Sequence, residues 1–468
     1  MADVPVPGSE LTRPEAEPAL DATTIGGSVP AAVHDLLGAL WAAGHAAYVV
    51  GGSLRDAVLG RPAKDWDLAT DALPEATLAA FPEATYENAF GTVAVRRGGE
   101  VYEITTFRSD HDYADFRRPH RVEFGTSLEV DLARRDFTVN AMAWGAQPGD
   151  GPALRDPFDG AGDVAARLLR AVGEPQLRFE EDALRMLRAV RLATTLGFEI
   201  EPETWSAIRA SAPLAAHLSG ERVATEVGRI LAAERPSVGL RLLRDAGLLE
   251  VVLPELAAQA GVSQNKIPGE DLWDHTLGTV DAAAPHPIVR LAALLHDIGK
   301  PSTAADGHFY GHETVGAELT RALLERLHEP RVVIDRVTHL VRYHMFRYEP
   351  GWTDSAVRRF LGKVGPEAID ELFELREADN AGSGVDREAD GLAELRARVE
   401  AELLAGPILD RSALKIDGDD LIRELGLTPG PSLGRVLDEL LQRVIEDPKL
   451  NEAPTLLLLA RDLVKADE

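Results

Sequence analysis

The feature that most constrains the fold is a change in the hydrophobic pattern near residue 160. Before that point, short apolar runs such as Ala47–Val50 alternate with helical segments, and Thr92–Arg97 and Val101–Phe107 flank a Gly98-Gly99 turn, as in a β-hairpin. After it, Leu, Ala and Arg recur at spacings of three and four almost to the end of the chain, which is the period of an amphipathic helix. The pattern predicts an α+β amino-terminal part followed by an all-α remainder.

Chain length and breaks in the helical pattern predict several domains. The 468 residues exceed what one ordinary core organises. Breaks rich in Gly and Pro interrupt the helices, and the stretch from Gly261 to Gly269 is the clearest linker candidate. We predict a flexible leader at 1–28, a mixed head at 29–160, a first helical part at 161–262, a second helical module at 270–385 and a helical tail at 386–468.

Composition excludes several classes of protein. The longest apolar runs, such as Leu291–Leu295, are far shorter than the ~20 residues of a membrane-spanning helix, so a membrane is not an expected partner. With no cysteine, the chain forms neither disulfides nor thiolate metal sites, and any transition-metal site must use histidine and carboxylate ligands. A cytoplasmic location is the default expectation, and no pattern bears on the oligomeric state.

The formal net charge of −28 argues against a general nucleic-acid-binding protein. Arginines nevertheless form tight groups, such as Arg117 with Arg118 and Arg121, and Arg134 with Arg135. Because phosphate contacts are local, an acidic protein can still bind RNA where such groups line one surface. The same arginine bias is equally consistent with a GC-rich genome.

A glycine turn followed by two acids is the first chemical signal. Gly51-Gly52 follows the predicted strand, and two glycines there let the backbone approach a triphosphate closely. Arg55, one turn further on, can add a charge-assisted contact. In Asp65-Trp66-Asp67 the strand period of two places both carboxylates on one face, which suits a pair of Mg²⁺ ions. An Asp-x-Asp pair alone is usually a surface turn, but the preceding glycines favour the catalytic interpretation.

Two further stretches of the head carry polar residues. Glu103, on the second strand of the predicted hairpin, is either a third metal-facing carboxylate or a solvent-facing edge residue. The motif Arg134-Arg135-Asp136-Phe137-Thr138-Val139-Asn140 places two arginines beside apolar residues, and we expect a half-buried polar cluster there. Buried arginine needs an anionic partner, which is either Asp136 or a bound triphosphate.

The segment from Glu181 to Arg191 suggests a surface that reads a nucleobase. Spacings of three place four charged residues along one predicted helix face: Asp182, Arg185, Arg188 and Arg191. A carboxylate accepts from an exocyclic amino group and a guanidinium donates to a ring nitrogen, so an Asp–Arg pair can recognise cytosine or adenine without a template strand. The last two arginines would remain for phosphates or for the helix scaffold. One such acid–base pair alone usually marks a solvated face.

Taken in order, these motifs resemble the class II tRNA nucleotidyltransferase and bacterial poly(A) polymerase superfamily. Gly-Gly-x-x-Arg-Asp with Asp-x-Asp, then Arg-Arg-Asp-Phe-Thr-x-Asn, then Glu-Asp-x-x-Arg-x-x-Arg occur between about residues 45 and 260. The resemblance implies a small polymerase-β-like head with a mixed sheet, followed by an all-α neck, body and tail that hold tRNA. It also implies that the loop at 110–121 lies where the family has a flexible element implicated in switching from C to A addition.

The same resemblance implies roles for individual residues. Asp65 and Asp67 would be the catalytic acids that hold Mg²⁺. The nucleotide-binding residues that it implies are Gly52, Arg55, Arg135, Asp182, Arg185, Arg188 and Arg191. Among these, Asp182 and Arg185 would read the base of CTP or ATP.

A second group of candidate metal ligands follows Trp273. Eight of the thirteen histidines lie between His275 and His344, and the adjacent pair His296-Asp297 ends an apolar segment. This stretch resembles the HD superfamily of metal-dependent phosphohydrolases. The resemblance implies one divalent ion of unknown identity, held by His275, His296, Asp297 and Asp379. It also matches His312 and His344 to positions often used for a second ion.

We therefore expect an enzyme that adds CCA to tRNA 3′ ends from CTP and ATP. The reaction would be Mg²⁺-dependent, template-independent nucleotidyl transfer that releases pyrophosphate, with HD phosphohydrolase activity as an additional hypothesis. The motifs do not separate CCA addition from poly(A), A-only or C-only addition, and the HD module favours the CCA enzyme by analogy alone. A further alternative makes the HD phosphohydrolase the main activity and the head a nucleotide sensor. The intact Asp65 and Asp67 pair argues against that alternative.

Overall fold

The computed structural model describes residues 22–467 apart from 64, 87–90, 114–118, 265–266 and 385–390. The chain forms two compact units. The first contains the residues up to Ile230 together with Val238–Val252, and the second contains Leu231–Ser237 together with the residues from Leu253 onward. No helix in the described part of the chain is long and apolar enough to cross a lipid bilayer.

The first unit begins with the mixed head. Its elements in chain order are α1 (Ala22–Ser28), α2 (Ala31–Ala42), β1 (Ala47–Val50), α3 (Gly52–Val58), β2 (Asp67–Thr70), α4 (Pro74–Ala80), β3 (Thr85–Tyr86), β4 (Thr92–Arg97), β5 (Glu100–Thr106), β6 (Arg108–Tyr113), β7 (Pro119–Phe124), α5 (Leu128–Ala133), a 3₁₀ turn (Thr138–Asn140), β8 (Ala143–Ala146), β9 (Ala153–Arg155) and α6 (Gly160–Ala166). The predicted first strand and the hairpin β4–β5 are confirmed.

A mixed sheet organises the described part of the head, with strands in the order β3-β4-β5-β2-β1-β8-β9. β2 and β5 are parallel, and the other neighbouring strands are antiparallel. All four residues of β1 are buried, as its continuous apolar sequence requires. The expected α+β class with a mixed sheet is therefore confirmed.

We expected the segment 110–121 to be a loop, but it is not a simple loop. Its described residues belong to β6 and β7, which pair with each other as a separate antiparallel hairpin. Residues 114–118 lie outside the described residues. The pattern was missed because polar and charged residues in this stretch hide the alternation typical of a strand.

Helices follow the head, as predicted. The first unit continues with β10 (Leu168–Leu169), α7 (Pro175–Glu181), α8 (Leu184–Leu196), β11 (Glu199–Ile200), α9 (Pro202–Ser211), a 3₁₀ helix (Ala212–His217), α10 (Gly220–Leu231), α11 (Pro236–Asp245) and α12 (Leu249–Val252). α8 buries an apolar stripe that includes Leu187 and Val190, and this burial orients its arginines toward the polar residues of the head and of α10.

The second unit is helical except for one short hairpin in its described part. Its elements are α13 (Pro254–Ala257), α14 (Leu272–Ala282), α15 (Pro287–Leu295), α16 (Lys300–Thr303), β12 (Ala304–Ala305), β13 (His308–Phe309), α17 (His312–Arg326), α18 (Arg331–Tyr343), α19 (Asp354–Val364), a 3₁₀ turn (Pro366–Ala368), α20 (Ile369–Gly382), α21 (Leu392–Leu404), a 3₁₀ turn (Arg411–Ala413), α22 (Gly418–Leu425), α23 (Pro431–Glu446), a 3₁₀ turn (Pro448–Leu450) and α24 (Ala453–Asp467). α14, α15, α18 and α20 pack together, and α22, α23 and α24 enclose a separate apolar cluster in the tail.

The end of the predicted leader is ordered. Residues 22–28 form α1, in which Ile25 is fully buried. A Cβ added at Gly26 would lie 2.8 Å from the Trp144 ring, so the absence of a side chain lets α1 pack closely against the indole. The division of the units at Val252 precedes the linker that we placed at 261–269. The other domain bounds of the sequence analysis stay predictions.

A glycine pair tests the close packing of the head. In Gly145→Ala the new methyl would lie 2.2 Å from the carbonyl oxygen of Ala47, and we expect the free energy of unfolding to fall by roughly 1–3 kcal/mol, as overpacking usually costs. Gly228→Ala on α10 is the matched control, because nothing lies within 4 Å of its added Cβ; there we expect a gain of roughly 0.5–1 kcal/mol. Urea unfolding of both variants measures the two changes, and shifts of the same sign would contradict the packing at Gly145.

Candidate active site and metal centre

The turn between β1 and α3 lies beside a pocket in the head, close to two residues that line it, Asp67 and Arg135. Gly51 has φ = 81°, a left-handed conformation that glycine adopts without strain. A Cβ at Gly51 would lie 3.4 Å from Nη1 of Arg135 and 3.5 Å from Oδ2 of Asp67. The bare backbone of this turn therefore lies directly against one cation and one acid, and a side chain there would separate the turn from both.

The two acids of Asp65-Trp66-Asp67 share one side of the chain. Trp66 is buried while both aspartates are exposed, so the alternation predicted for a strand is present. β2 itself begins only at Asp67, and Asp65 precedes it. The bulky indole anchors the segment in the core and leaves both carboxylates on the solvent side.

Asp67 lies in a pocket of about 190 Å³ that also includes Glu103, Thr105, Asp131 and Arg135 in its lining. β2 and β5 pair in parallel with Leu68 opposite Ile104, so Asp67 and Glu103 are at the same level of neighbouring strands. The side chain of Asp67 is exposed, but desolvation by the surrounding protein raises its pKa. Repulsion from Glu103 raises that pKa further, and the attraction of Arg135 does not offset these two effects. Two neighbouring carboxylates, Asp67 and Glu103, whose repulsion contributes to this shift, fit a divalent cation.

The partner of Arg134 and Arg135 is an acid that the sequence analysis did not identify. Asp131 is almost fully buried, and its carboxylate accepts hydrogen bonds from Arg134 at 2.7 and 3.0 Å and from Arg135 at 3.3 Å. Burial alone would raise the pKa of Asp131, but the two guanidinium groups outweigh it and lower that pKa. The spacings of three and four from Asp131, on and just after α5, are the signal that could have revealed this pairing.

Arg55 supports the glycine turn from the protein side. Its guanidinium donates to Oδ1 of Asp56 at 2.8 and 3.0 Å and to Oδ1 of Asn140 at 2.7 Å. A Cβ at Gly52 would lie 3.3 Å from its Nη2 atom. Arg55 is buried, so in this structure it fixes the turn by contacts with other protein groups.

Asp136 links the head to α8. Its Oδ2 atom accepts from Arg188 Nε at 2.8 Å and Nη2 at 2.5 Å, and its Oδ1 atom accepts from Asn140 at 3.1 Å. Burial alone would raise the pKa of Asp136, but Arg188 and Asn140 hold it far below its ordinary value. Asp136 is therefore the partner of Arg188 and not of the arginines that precede it in sequence.

Asp182 is not on the helix where the spacing placed it. α7 ends at Glu181 and α8 begins at Leu184, and Asp182 adopts extended backbone between them. Its Oδ1 atom accepts from the N–H of Leu184, and its Oδ2 atom accepts from Arg222 on α10 at 2.7 Å. The helix prediction was wrong at this residue because the chain is extended at Asp182, whose carboxylate bonds locally to the N–H of Leu184 and interrupts the apparent periodicity.

Arg185 and Arg191 also have acidic partners. Arg185 donates to Glu181 at 2.6 Å and to the carbonyl oxygen of Arg134 at 2.9 Å. Arg191 lies 2.7 Å from the buried carboxylate of Glu226 on α10. The structure thus brings the arginines of α8 beside the Arg134-Arg135-Asp136 motif, and α10 supplies partners that the motif analysis did not include.

Four ligand candidates of the second unit meet in a buried cluster. His275 lies on α14, His296 and Asp297 follow α15, and Asp379 lies on α20. The Nε2 atom of His275 is 3.1 Å from Nε2 of His296, 3.4 Å from Oδ2 of Asp297 and 3.2 Å from Oδ1 of Asp379. Two imidazoles and two carboxylates this close form a donor set that suits Mn²⁺, Fe, Ni²⁺ or Zn²⁺.

His312 and His344 face the other oxygen of Asp297. Their Nε2 atoms lie 3.4 and 3.6 Å from Oδ1 of Asp297, and these three residues could hold an ion. Oδ1 and both Nε2 atoms are buried and have no hydrogen-bond partner among the described residues. Because buried polar atoms without partners are costly, this second trio also fits a cation, with Asp297 shared between the two groups.

Backbone carbonyls fix the orientation of three histidine rings. The Nδ1 atoms lie next to carbonyl oxygens as follows: His296 at 2.8 Å from Ala293, His312 at 2.7 Å from Phe309 and His344 at 2.7 Å from Val341. A carbonyl only accepts, so each Nδ1 carries the proton and each Nε2 presents its lone pair to the cluster. Burial lowers the pKa of His296, which favours the neutral form that binds metals.

Lys300 is a further member of the cluster that the ligand pattern did not reveal. Its Nζ atom donates to Oδ2 of Asp297 and to Oε1 of Gln264, both at 2.6 Å. Burial alone would raise the pKa of Asp297, but His296 and Lys300 hold it well below the ordinary value. Asp297 therefore stays ionised, which is the form in which a carboxylate can bind a cation.

A prediction follows for the Asp136–Arg188 pair. Asp136→Asn leaves the half-buried guanidinium of Arg188 without its anion, and we expect the free energy of unfolding to fall by roughly 1–3 kcal/mol, the scale of a lost hydrogen bond to a charged group. Because the folded pKa of Asp136 is lowered, its stabilisation is complete at neutral pH and is lost as the pH falls below the unfolded value of about 4. The deficit of the variant should thus be constant from pH 6 to 8 and shrink in acid.

Thermal and urea unfolding across this pH range measure the deficit. The exposed Asp35→Asn on α2 is the control and should change stability by less than about 0.5 kcal/mol. A deficit for Asp136→Asn no larger than that of the control would show that the pair does not stabilise the fold.

Comparison with known proteins gives three family matches. The model of the poly A polymerase head domain matches residues 47–170, and that of the probable RNA and SrmB-binding site of polymerase A matches residues 197–259. The model of the HD domain matches residues 272–381. The matched ranges contain every candidate site residue except those between 170 and 197.

Similar proteins extend along most of the chain. The CCA-adding enzyme of Geobacillus stearothermophilus is 35% identical over 412 residues, which cover 87% of this chain and 91% of the relative. That of Streptococcus suis is 33% identical over 428 residues, which cover 91% and 94%. Both matches span the head and the HD range.

Solved structures share the architecture. The crystal structure of the Bacillus stearothermophilus CCA-adding enzyme in complex with CTP has a TM-score of 0.70 and 29% identity, and the match covers 93% of this chain and 98% of that chain. The Thermotoga maritima CCA-adding enzyme complexed with tRNA has a TM-score of 0.58 and 20% identity, with 96% and 99% covered. The latter likeness shows the fold alone.

Proposed function

Because the chain belongs to the CCA-adding enzyme family, within the class II tRNA nucleotidyltransferase and poly(A) polymerase superfamily, we propose that it adds CCA to the 3′ end of tRNA. CTP and ATP are the substrates, pyrophosphate is released, and no template strand is used. The observation that carries the proposal is the pocket where the side-chain-free turn at Gly51, the acid Asp67 and the cation Arg135 meet. A triphosphate needs this combination of close backbone, divalent-ion ligand and fixed positive charge.

Asp65 and Asp67 would hold Mg²⁺ in the head, with Glu103 as a third carboxylate. The raised pKa of Asp67 beside Glu103 supports this proposal, because a divalent cation relieves the repulsion that raises it. When bound, Mg²⁺ supplies neutralisation of the triphosphate charge and activation of the attacking 3′-hydroxyl. Arg135, which lines the same pocket as Asp67, would bind phosphate oxygens, and Arg55 would keep the turn in position.

We propose that Asp182 and Arg185 select the base. Each is held at a distinct place beside the head: Asp182 by Arg222, and Arg185 by Glu181 and the Arg134 carbonyl. A cytosine or adenine edge would accept from Arg185 at its ring nitrogen and donate its amino group to Asp182. Arg188 and Arg191 contribute to this pocket through their acidic partners, which fix the orientation of α8.

The second unit supports a separate proposal, metal-dependent hydrolysis of phosphoesters. The specific observation is the buried cluster of His275, His296, Asp297 and Asp379, in which the Ala293 carbonyl fixes the ring of His296. A bound divalent ion supplies a nucleophilic water at neutral pH. Lys300, fixed beside Asp297, places a positive charge where a phosphoryl oxygen would approach.

A direct assay tests CCA addition. Purified protein is incubated with a tRNA transcript that lacks its CCA end, with labelled CTP and ATP supplied singly and together. We expect two C additions from CTP alone and one further A when ATP is present. Long A tracts would indicate a poly(A) polymerase. Incorporation of A alone or of C alone would indicate an A-only or a C-only enzyme.

Acidic variants test the metal role of the head. Asp67→Asn should reduce incorporation by at least roughly 10²–10³-fold, the scale of removing one preorganised electrostatic group, and Glu103→Gln should reduce it less. Glu100→Gln is the matched control on the same strand, exposed and outside the pocket, and should retain the parent rate. Normal incorporation by Asp67→Asn would remove this residue from the mechanism.

Metal analysis tests the buried cluster independently of catalysis. Elemental analysis of the purified chain should find divalent transition metal, and His296→Gln should lose it, since a buried ligand with a fixed ring is replaced. His286→Gln, which alters an exposed histidine of the same unit, should retain the metal content. His344→Gln should lower the stoichiometry only if the second trio binds its own ion. Unchanged metal content in His296→Gln would contradict the proposed centre. The rate of CCA addition by the Asp67→Asn and His296→Gln variants reports on the head alone.

A further inference from the structure

Asp131 is an acid in the wall of the head pocket that no step of the proposed reaction uses. It lines the same pocket as Asp67 and Glu103, but its side chain is only 1% exposed, whereas Asp67 lies on the solvent side. A metal ligand must be accessible to the ion and to the nucleotide that the ion binds. We therefore expect Asp131 to influence the pocket through its neighbours and not as a ligand.

Two guanidinium groups converge on the carboxylate of Asp131. Arg134 donates to Oδ1 through Nε at 3.0 Å and through Nη2 at 2.7 Å, and Arg135 donates to Oδ2 through Nη2 at 3.3 Å. The backbone N–H of Arg108 lies 3.4 Å from Oδ1. Because this carboxylate is shielded from water, it attracts both cations more strongly than an exposed acid would.

The guanidinium of Arg135 has the glycine turn and a second acid on its other side. A Cβ at Gly51 would lie 3.4 Å from Nη1 of Arg135 and 3.5 Å from Oδ2 of Asp67, so one point beside the turn is close to both groups. Nη2 is the atom that binds Asp131. Arg135 therefore lies between two acids, one buried and one exposed.

The buried acid holds Arg135, and the exposed acid does not. Asp67 and Arg135, both in the described part of the chain, form no direct ion pair, whereas Arg135 pairs with Asp131. A guanidinium bound to Asp67 would occupy oxygens that a divalent cation needs. An ion pair at such a partly exposed position is weak, so one competing buried acid is sufficient to prevent it.

We propose that Asp131 is a positioning residue, which holds Arg135 away from Asp67. Asp67 then stays available to a divalent cation, while Nη1 of Arg135 stays beside the glycine turn, where a phosphate oxygen would approach. The identity of the nucleotide and of the ion rests on the proposed function. The arrangement of a cation between a buried and an exposed acid does not.

The dependence of CTP binding on Mg²⁺ tests this role without turnover. Asp131→Asn keeps the size of the side chain but removes its charge, so Arg135 should pair with Asp67 and compete with the ion. We expect the Mg²⁺ concentration for half-maximal CTP binding to rise roughly 2–5-fold, the scale of a partly exposed ion pair that the ion must break. Equilibrium dialysis of the full chain with labelled CTP, without tRNA, measures this midpoint. An unchanged midpoint would overturn the proposal.

Two further variants show whether Asp131 acts through Arg135. Arg135→Gln should weaken CTP binding roughly 10-fold or more at every Mg²⁺ concentration, as expected for a lost hydrogen bond to a charged group, without raising the midpoint. In the Arg135→Gln background, Asp131→Asn should no longer raise the midpoint, because no guanidinium remains there to compete for Asp67. A rise of the same size with and without Arg135 would show that Asp131 does not act through it. Mg²⁺-dependent binding that survives Asp67→Asn does not need the proposed ligand and is subtracted throughout.

Charge and stability are controlled separately. Asp131→Asn combined with Arg134→Gln leaves the net charge unchanged and should show the same raised midpoint. This pair also replaces the single variant if that variant does not fold, since it leaves one cation fewer without its acid. Asp163→Asn is the matched control, because it removes a buried acid that accepts from Thr138 and Arg170 and lies outside the pocket. It should lose stability but keep the parent midpoint, and an equal rise there would contradict the role of Asp131.

The same titration separates this role from the proposed function. If the parent chain binds no CTP at any Mg²⁺ concentration, both proposals fail. If it binds CTP and adds CCA but Asp131→Asn leaves the midpoint unchanged, only the positioning role fails. A raised midpoint in a chain that binds CTP and adds no CCA would support the role of Asp131 and contradict CCA addition.

Discussion

The head depends on one buried ion pair, that of Asp136 with Arg188. Asp136 belongs to the segment that follows α5, and Arg188 belongs to α8, so the pair joins the sheet-containing head to the first of the arginine-bearing helices. Removing Arg188 would leave the buried carboxylate of Asp136 without its cation, and this penalty is larger than the net stabilisation that the intact pair supplies. Asn140 extends the connection, since it donates to Asp136 and accepts from Arg55 under the glycine turn. A hydrogen-bonded path therefore runs from the backbone proposed to face the triphosphate to the helix proposed to face the base.

The two candidate metal sites differ in both ligand chemistry and solvation. In the head, the carboxylates of Asp67 and Glu103 line an open pocket, and desolvation by the surrounding protein and then repulsion from Glu103 raise the pKa of Asp67. In the second unit, Asp297 is buried, but the neighbouring His296 and Lys300 lower its pKa. An open, mutually repelling pair suits an ion that arrives with a triphosphate and leaves with pyrophosphate. A buried carboxylate with neutral imidazoles around it suits an ion that stays bound between reactions.

Residue pattern predicted the local elements of the head and the histidines and acids that come together in the second unit, but not the pairing of charges. The strand at Ala47–Val50 and the hairpin β4–β5 were predictable because apolar runs and a Gly-Gly turn are local signals. The acid opposite Arg134 and Arg135 could have been found from helical spacing, whereas the partners on α10, Arg222 and Glu226, are brought in by tertiary packing. Asp182 was misplaced for a related reason: a spacing of three looks the same whether the residue lies inside a helix or caps its first turn. Periodicity shows which residues share a face of a helix or strand. Only the packed chain shows which residues that face contacts.

The same distinction explains how a chain of net charge −28 can act on RNA. Many of its arginines are held by specific acids, as Arg188 is by Asp136 and Arg191 by Glu226, so the acids fix guanidinium groups in place while lowering the net charge. Such arginines contribute little long-range attraction, because their charge is balanced within a few ångströms. The capacity to bind phosphate then belongs to the cations whose charge remains available, and in the second unit these include Arg342, which is exposed and has no ion-pair partner within the described ranges. For an acidic RNA-processing enzyme, the informative quantity is therefore not the number of arginines but how many of them the protein leaves exposed and without an acidic partner.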